Sequence, residues 1–143
     1  VDTPPGTGDV QLTLLQRIPL TSAVVVTTPQ KVSISDCKKG IEMINKLDVP
    51  ISGLIENMSW FQPESMEKKY YLFGKDGGKE LAKEYSLELL AQLPLVELDE
   101  DSDLQNHELL KKEFDKISTK LMDSVKNLKD KRSGGIPQIN ITK

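Results

Sequence analysis

The chain has 143 residues, 37% of them hydrophobic and 29% charged, which suits one globular domain with a core of its own. Its 19 Lys and Arg against 22 Asp and Glu give a net charge of −3, so no general electrostatic attraction to nucleic acid or anionic lipid is expected. No apolar run approaches the roughly 20 residues of a membrane span, the N-terminus does not read as a signal peptide, and the single cysteine, Cys37, cannot form an intrachain disulfide, so a cytoplasmic setting is expected.

In chain order, Val1-Asp2 reads as the end of a strand, and Asp2-Thr3-Pro4-Pro5-Gly6 as the turn that leaves it. Asp9 to Gln16 is helix-like, with Leu12, Leu15 and the nearby Ile18 apolar, and Pro19 stops it. Ala23-Val24-Val25-Val26 is a continuous, mostly β-branched run of the kind found in strands buried on both faces. Thr28-Pro29 is expected to start the next helix, with Thr28 as cap and Pro29 in its first turn. Ile34, Cys37, Ile41, Ile44 and Leu47 recur at spacings of three or four, which is one helical face. Ile51 to Asn57 is the next strand. A longer connection over 59–76 carries Trp60, Phe61, Tyr70, Tyr71 and Phe73, and Tyr70 to Phe73 is compatible with a short strand. Gly77-Gly78 precede a helix from about Lys79 to Tyr85, and Leu87 to Leu93 is the last core strand, stopped by Pro94.

Glu97, Asp99, Glu100, Asp101, Asp103 and Glu108 form an acidic connection. Leu110, Phe114, Ile117, Leu121, Val125 and Leu128 mark a long amphipathic helix. Residues 1–132 are expected to form the domain and 133–143, with Gly134-Gly135 and Pro137, a mobile tail. Alternation of strand and helix predicts an α/β fold, a parallel sheet with helices on both faces. Ligands of such sheets sit at the carboxyl ends of the strands, which directs attention to Asp2–Asp9, Thr27–Gln30 and Glu56–Ser59.

At a strand end, the Asp2 carboxylate suits a magnesium-bound water. Gly6 lets the backbone approach a ligand closely, so that its N–H can meet a terminal phosphate. A rigid turn without a ligand explains the same five residues equally well. Asn57 carries paired donor and acceptor groups that match a purine edge, although Asn is also a common turn residue. Cys37 lies on the apolar helical face and reads as a small core residue. His107 has no second His or Cys beside it, so metal binding there is not expected. The aromatic cluster over 60–73 is either an interface patch or local core. Lys126, Lys129, Lys131 and Arg132 suit a solvated helix end.

The full string Asp-Thr-Pro-Pro-Gly-Thr-Gly-Asp-Val-Gln-Leu-Thr at 2–13 is more specific. With Val24-Val25-Val26-Thr27-Thr28-Pro29-Gln30, Lys39-Gly40-Ile41-Glu42-Met43, Gly53-Leu54-Ile55-Glu56-Asn57-Met58-Ser59-Trp60-Phe61, Leu72-Phe73-Gly74, Gly77-Gly78 and Leu93-Pro94-Leu95, it resembles the Mrp-type (ApbC-type) P-loop ATPases. These carry iron–sulfur clusters and are allied to the Min-type and ParA-type ATPases. The resemblance covers about residues 1–95. It implies a partial doubly wound sheet, the C-terminal half of a P-loop NTPase domain. It further implies ATP and Mg²⁺ as ligands, Asp2 facing Mg²⁺ through water, Gly6 near the γ-phosphate, Asn57 on the adenine, and Pro94 and Leu95 lining the base pocket. A homodimer of the parent protein and iron–sulfur client proteins are the implied partners.

Two departures qualify the carry-over. Family members have a Gly-Lys-Gly-Gly-x-Gly-Lys-Ser/Thr loop whose N–H groups and lysines hold the phosphates. Here the only Gly-Lys pairs are Gly74-Lys75 and Gly78-Lys79, and neither is followed by Ser or Thr. The chain is therefore expected to be the C-terminal portion of a longer protein and inactive in hydrolysis alone. Family members also place Cys-x-x-Cys after the Asn-Met-Ser string; ungapped alignment puts Pro63 and Met66 there, and neither supplies a thiolate. Three functions follow: the ATP-binding module of a cluster-handling ATPase, a cysteine-less regulatory or positioning ATPase of Min-type behaviour, or a non-catalytic interaction remnant.

Overall fold

The computed structural model describes residues 1–3, 8–63, 68–96 and 107–133, with side chains described as far as Leu128. The acidic connection (except Glu108), Gly6, Met66 and the tail beyond Ser133 lie outside the described residues, as do the side chains of Lys129, Lys131 and Arg132. The elements are α1 (Asp9–Arg17), β1 (Ala23–Thr27), α2 (Lys31–Lys46), β2 (Ile51–Glu56), α3 (Gly77–Glu84), β3 (Leu89–Gln92) and α4 (Glu108–Ser133). The three strands form one parallel sheet in the order β1-β2-β3. This is the α/β architecture the alternating pattern predicts.

Strand β2 is central and buried along nearly its whole length; the Val24-Val25-Val26 run, expected to be buried on both faces, lies instead on the edge strand β1 with Val24 and Val26 exposed. Val25 of β1 stands opposite Leu54, and Thr27 opposite Glu56. Because successive strand residues face opposite sides, the sheet feeds two cores. Val25, Ile41, Leu54, Leu81 and Ala82 pack under α2 and α3, with Cys37 half-buried at the margin. Ile55, Leu90, Ala91, Leu93 and Ile117 pack under α4 on the other face. The Cys37 thiol donates to the Val26 carbonyl at 3.3 Å, so the residue belongs to the α2–sheet contact, as its helical position predicts.

Several local expectations are corrected by tertiary contacts. Helix α2 starts at Lys31 with Gln30 at the N-cap position. Thr28 does not cap it, because its hydroxyl donates to Ser33 Oγ at 2.8 Å. Gly77 and Gly78 are not a prelude to α3 but its first turn. Each lies against another segment too closely for a side chain: a Cβ on Gly77 would be 2.8 Å from the Pro29 carbonyl oxygen. Tyr70 to Phe73 makes isolated bridges instead of a strand, Tyr70 with Phe61 and Leu72 with Gly74. Val1 to Thr3 is exposed and in no strand.

Candidate functional site

Among the described residues, the sheet's carboxyl end gathers Thr27, Glu56, Asn57, Ser59, Gln92 and Leu93. The Asn57 N–H donates to the Thr27 carbonyl at 2.7 Å, and the Ser59 N–H to the Leu93 carbonyl at 2.9 Å. Between these two anchors the chain turns sharply, with Met58 in the left-handed region at φ 55°. The Asn57 Oδ1 accepts the Met58 N–H at 2.9 Å. Asn57 is therefore both a turn residue and a half-buried amide at the strand end, and among the described residues no hydrogen bond engages its NH₂ group.

The neighbouring strand brings its own end to the same place. Leu93 N–H donates to the Glu56 carbonyl at 2.8 Å and Leu95 N–H to the Trp60 carbonyl at 2.7 Å. The structure thus sets Asn57 beside the Leu93–Leu95 segment. Pro94 is buried and Leu95 half-buried. Asp2 is exposed, and among the described residues no hydrogen bond or ion pair ties it to this cluster. Gly6 cannot be set against them, being outside the described residues.

Glu56, which the sequence places in the Glu56–Ser59 strand end without a role of its own, is the most enclosed polar residue of the site, 0% exposed. Its carboxylate accepts from the Ser59 hydroxyl at 2.7 Å and from Gln92 Nε2 at 2.8 Å on one oxygen. The Gly78 N–H donates to the other oxygen. Gln92 also reaches Asp76 Oδ1 at 3.3 Å. A sequence signal existed: an acidic residue closing an apolar strand, with a hydroxyl three residues on to satisfy it.

The aromatic connection joins neither core cluster. Phe61 and Tyr70 exchange backbone hydrogen bonds of 2.8 Å each way. Lysines cover the rings: Lys69 Nζ lies 3.8 Å from the Trp60 ring centre and Lys75 Nζ 5.0 Å from that of Tyr71.

Among the described residues there is no group of three His, Cys, Asp or Glu side chains that could hold a metal. A lone exposed carboxylate such as Asp2 still fits Mg²⁺, which keeps several waters and takes one or two carboxylates beside phosphate oxygens. An iron–sulfur cluster is another matter. Its thiolate ligands are not supplied by half-buried Pro63, and Cys37 sits on α2 with its thiol turned to a strand carbonyl. Among the described residues no pair of thiolates is available to hold a cluster.

Residues 1–129 match the ParA-type family model described as NUBPL iron-transfer P-loop NTPase. The chain is 49% identical over 104 residues to the iron-sulfur cluster carrier protein of Aquifex aeolicus, covering 72% of this chain and 29% of that protein. It is 47% identical over 105 residues to the mouse iron-sulfur cluster transfer protein NUBPL, covering 73% and 33%. It is 45% identical over 129 residues to the iron-sulfur cluster carrier protein of Escherichia coli K12, covering 87% and 35%. The chain thus spans about a third of the length of these relatives. Among solved structures it resembles a nucleotide-binding protein of Archaeoglobus fulgidus in complex with ADP, with cobalt found by PIXE. The TM-score is 0.58 at 33% identity, covering 80% of this chain and 43% of that one. The match over nearly the whole chain, on a parallel α/β sheet with its polar cluster at the carboxyl end, shows that the chain belongs to the ParA-type NUBPL iron-transfer P-loop NTPase family.

Proposed function

We propose that this chain forms the base-side half of an ATP site in a protein that assembles or transfers iron–sulfur clusters in the cytoplasm. The observation that carries the proposal is Asn57, held at the carboxyl end of the central strand with its NH₂ group uncommitted among the described residues. An amide in that position offers donor and acceptor to an adenine edge. Buried Pro94 and half-buried Leu95 follow Leu93, whose N–H is bonded to the Glu56 carbonyl, and both are assigned to the base pocket. Asp2 is assigned to Mg²⁺ through water and Gly6 to the γ-phosphate, both through the turn before α1. A Gly-Lys-Gly-Gly-x-Gly-Lys-Ser/Thr loop elsewhere in the protein completes the phosphate side, since this chain contains none. By itself the chain does not hydrolyse ATP; the intact protein, as a homodimer, does.

The test is calorimetric titration of the intact protein with ATP and Mg²⁺, wild type against Asn57→Ala. Weakened ATP binding with lost preference for adenine is expected. An Asn57→Ala protein that binds ATP as tightly and selectively as wild type overturns the assignment.

The misfit of Pro63 and Cys37 to cluster ligation favours a second reading, a nucleotide-driven regulatory protein that holds no cluster itself. Anaerobic reconstitution followed by iron and sulfide analysis separates the two. Stoichiometric cluster on the intact protein removes the second reading; its absence removes direct carriage.

A further inference from the structure

We propose that Glu56 is a positioning residue for the Asn57 turn: its buried carboxylate, by accepting hydrogen bonds from Ser59, Gln92 and Gly78, fixes how Asn57 meets a nucleotide base. The role rests on the reading of Asn57 as the base contact.

Enclosing a carboxylate is costly unless its lone pairs are used. None of the described ion pairs involves Glu56. Three neutral donors serve it instead, and they come from three different elements: the turn itself, strand β3 and the first turn of α3. The pattern admits only an acceptor. A backbone N–H at Gly78 cannot reverse, and Gln92 cannot flip its amide without turning oxygen toward the Asp76 carboxylate. A glutamine at 56 would set its NH₂ against one of these donors. The Ser59 hydroxyl, whose one hydrogen serves the closer carboxylate oxygen, also lies 3.0 Å from the Glu56 carbonyl oxygen. Asn57 and the strained Met58 are therefore the two residues between a carboxylate and the hydroxyl clamped to it. Close approach of α3 to Glu56 completes the clamp, because Gly78 carries no side chain.

The experiment compares Glu56→Gln, Ser59→Ala and Asn57→Ala in the intact protein. Calorimetry gives the affinities for Mg²⁺ complexes of ATP and GTP, and amide hydrogen exchange is followed without nucleotide. Glu56→Gln is expected to reduce the ATP-over-GTP preference by about fivefold or more, the scale of an unsatisfied buried donor, and Ser59→Ala to shift it the same way by less. Exchange at Met58, Ser59 and Gly78 should rise together in Glu56→Gln. Unchanged preference in Asn57→Ala overturns the base contact. A changed preference in Asn57→Ala with wild-type preference in the Glu56 and Ser59 variants overturns the positioning role alone. Wild-type exchange at Met58, Ser59 and Gly78 in Glu56→Gln overturns it whatever the nucleotide does. Should Glu56→Gln not fold, Ser59→Ala and Gln92→Ala carry both measurements, and wild-type values in both overturn the role.

Discussion

A Cβ placed on Gly78 would stand 2.8 Å from the Cβ of Glu56 and 2.9 Å from its Oε2. The end of β2 and the start of α3 therefore meet side chain to bare backbone. Glu56 cannot withdraw, since both its oxygens are engaged by donors. Gly78→Ala is expected to destabilise the fold by about 1–3 kcal/mol, the usual cost of overpacking. Urea denaturation of the intact protein measures it, and a neutral result would mean that the contact relaxes freely.

Gly53 is expected to be the less tolerant of the two. Its φ is 154°, and an added Cβ would lie 2.6 Å from Leu90 Cγ and 2.8 Å from the Glu88 carbonyl oxygen. That oxygen already accepts the Leu54 N–H at 2.8 Å, so moving it breaks a bond between β2 and the approach to β3. Strain and overpacking together predict a loss of about 3 kcal/mol or more for Gly53→Ala. The same denaturation series should rank it above Gly78→Ala.

Leu54 and Ile41 are each 0% exposed at the centre of the α2–α3 core. Leu54→Ala or Ile41→Ala should cost about 2–5 kcal/mol through lost burial and the cavity left behind. Val32→Ala on the same helix as Ile41, at 74% exposure, should lie within about 0.5 kcal/mol of wild type. Thermal midpoints of the three variants provide the comparison.

Alkaline stability should depend on the α2–α3 contact. The hydrogen bond to Glu84 holds the Lys38 ammonium above its ordinary 10.5, and burial pushes the Tyr85 phenol above its ordinary 10.0, with Glu42 adding to it. Both groups hold their protons more tightly in the folded chain. Their contribution is complete below the unfolded values and is lost as pH rises through the folded ones. Denaturation followed from about pH 8 to about pH 11 should show stability falling at the upper end. Lys38→Met combined with Tyr85→Phe should flatten that fall; an equally steep fall would assign it to other groups.

The isolated chain should self-associate. Strand β1 is an edge, paired only with β2 among the described residues, and Val24 and Val26 are 38% and 56% exposed. Val10 and Ile18 on and beside α1 add 66% and 40% exposure. An open edge beside apolar surface templates association. Light scattering of the 143-residue chain should report species larger than a monomer. A stable monomer would mean that this surface is tolerated in water.

Much of the scaffold was legible because it is locally encoded. The Val24-Val25-Val26 run and the Ile51–Glu56 segment declare strands, although only β2 is buried on both faces while Val24 and Val26 of β1 are exposed, and the spacing of Ile34, Cys37, Ile41 and Ile44 declares a helix with its face toward them. Element starts were less legible where long-range contacts set them. Nothing near Gly77 in the chain says that Pro29 lies against it, so the glycines read as a break when they are the first turn of α3. Asn57 could be singled out because its neighbours form a distinctive string, and its type suits a base.

Glu56 shows the remaining division. By itself the sequence determined the alternating α/β order, the lack of a phosphate-cradling loop and the lack of paired cysteines, since these depend on residue type and spacing along the chain. Only the tertiary structure decided that Glu56 is enclosed and that Ser59, Gln92 and Gly78 converge on it from three elements. A carboxylate is acceptable inside a protein only when donors distant in sequence meet it, and that meeting is a property of the folded chain.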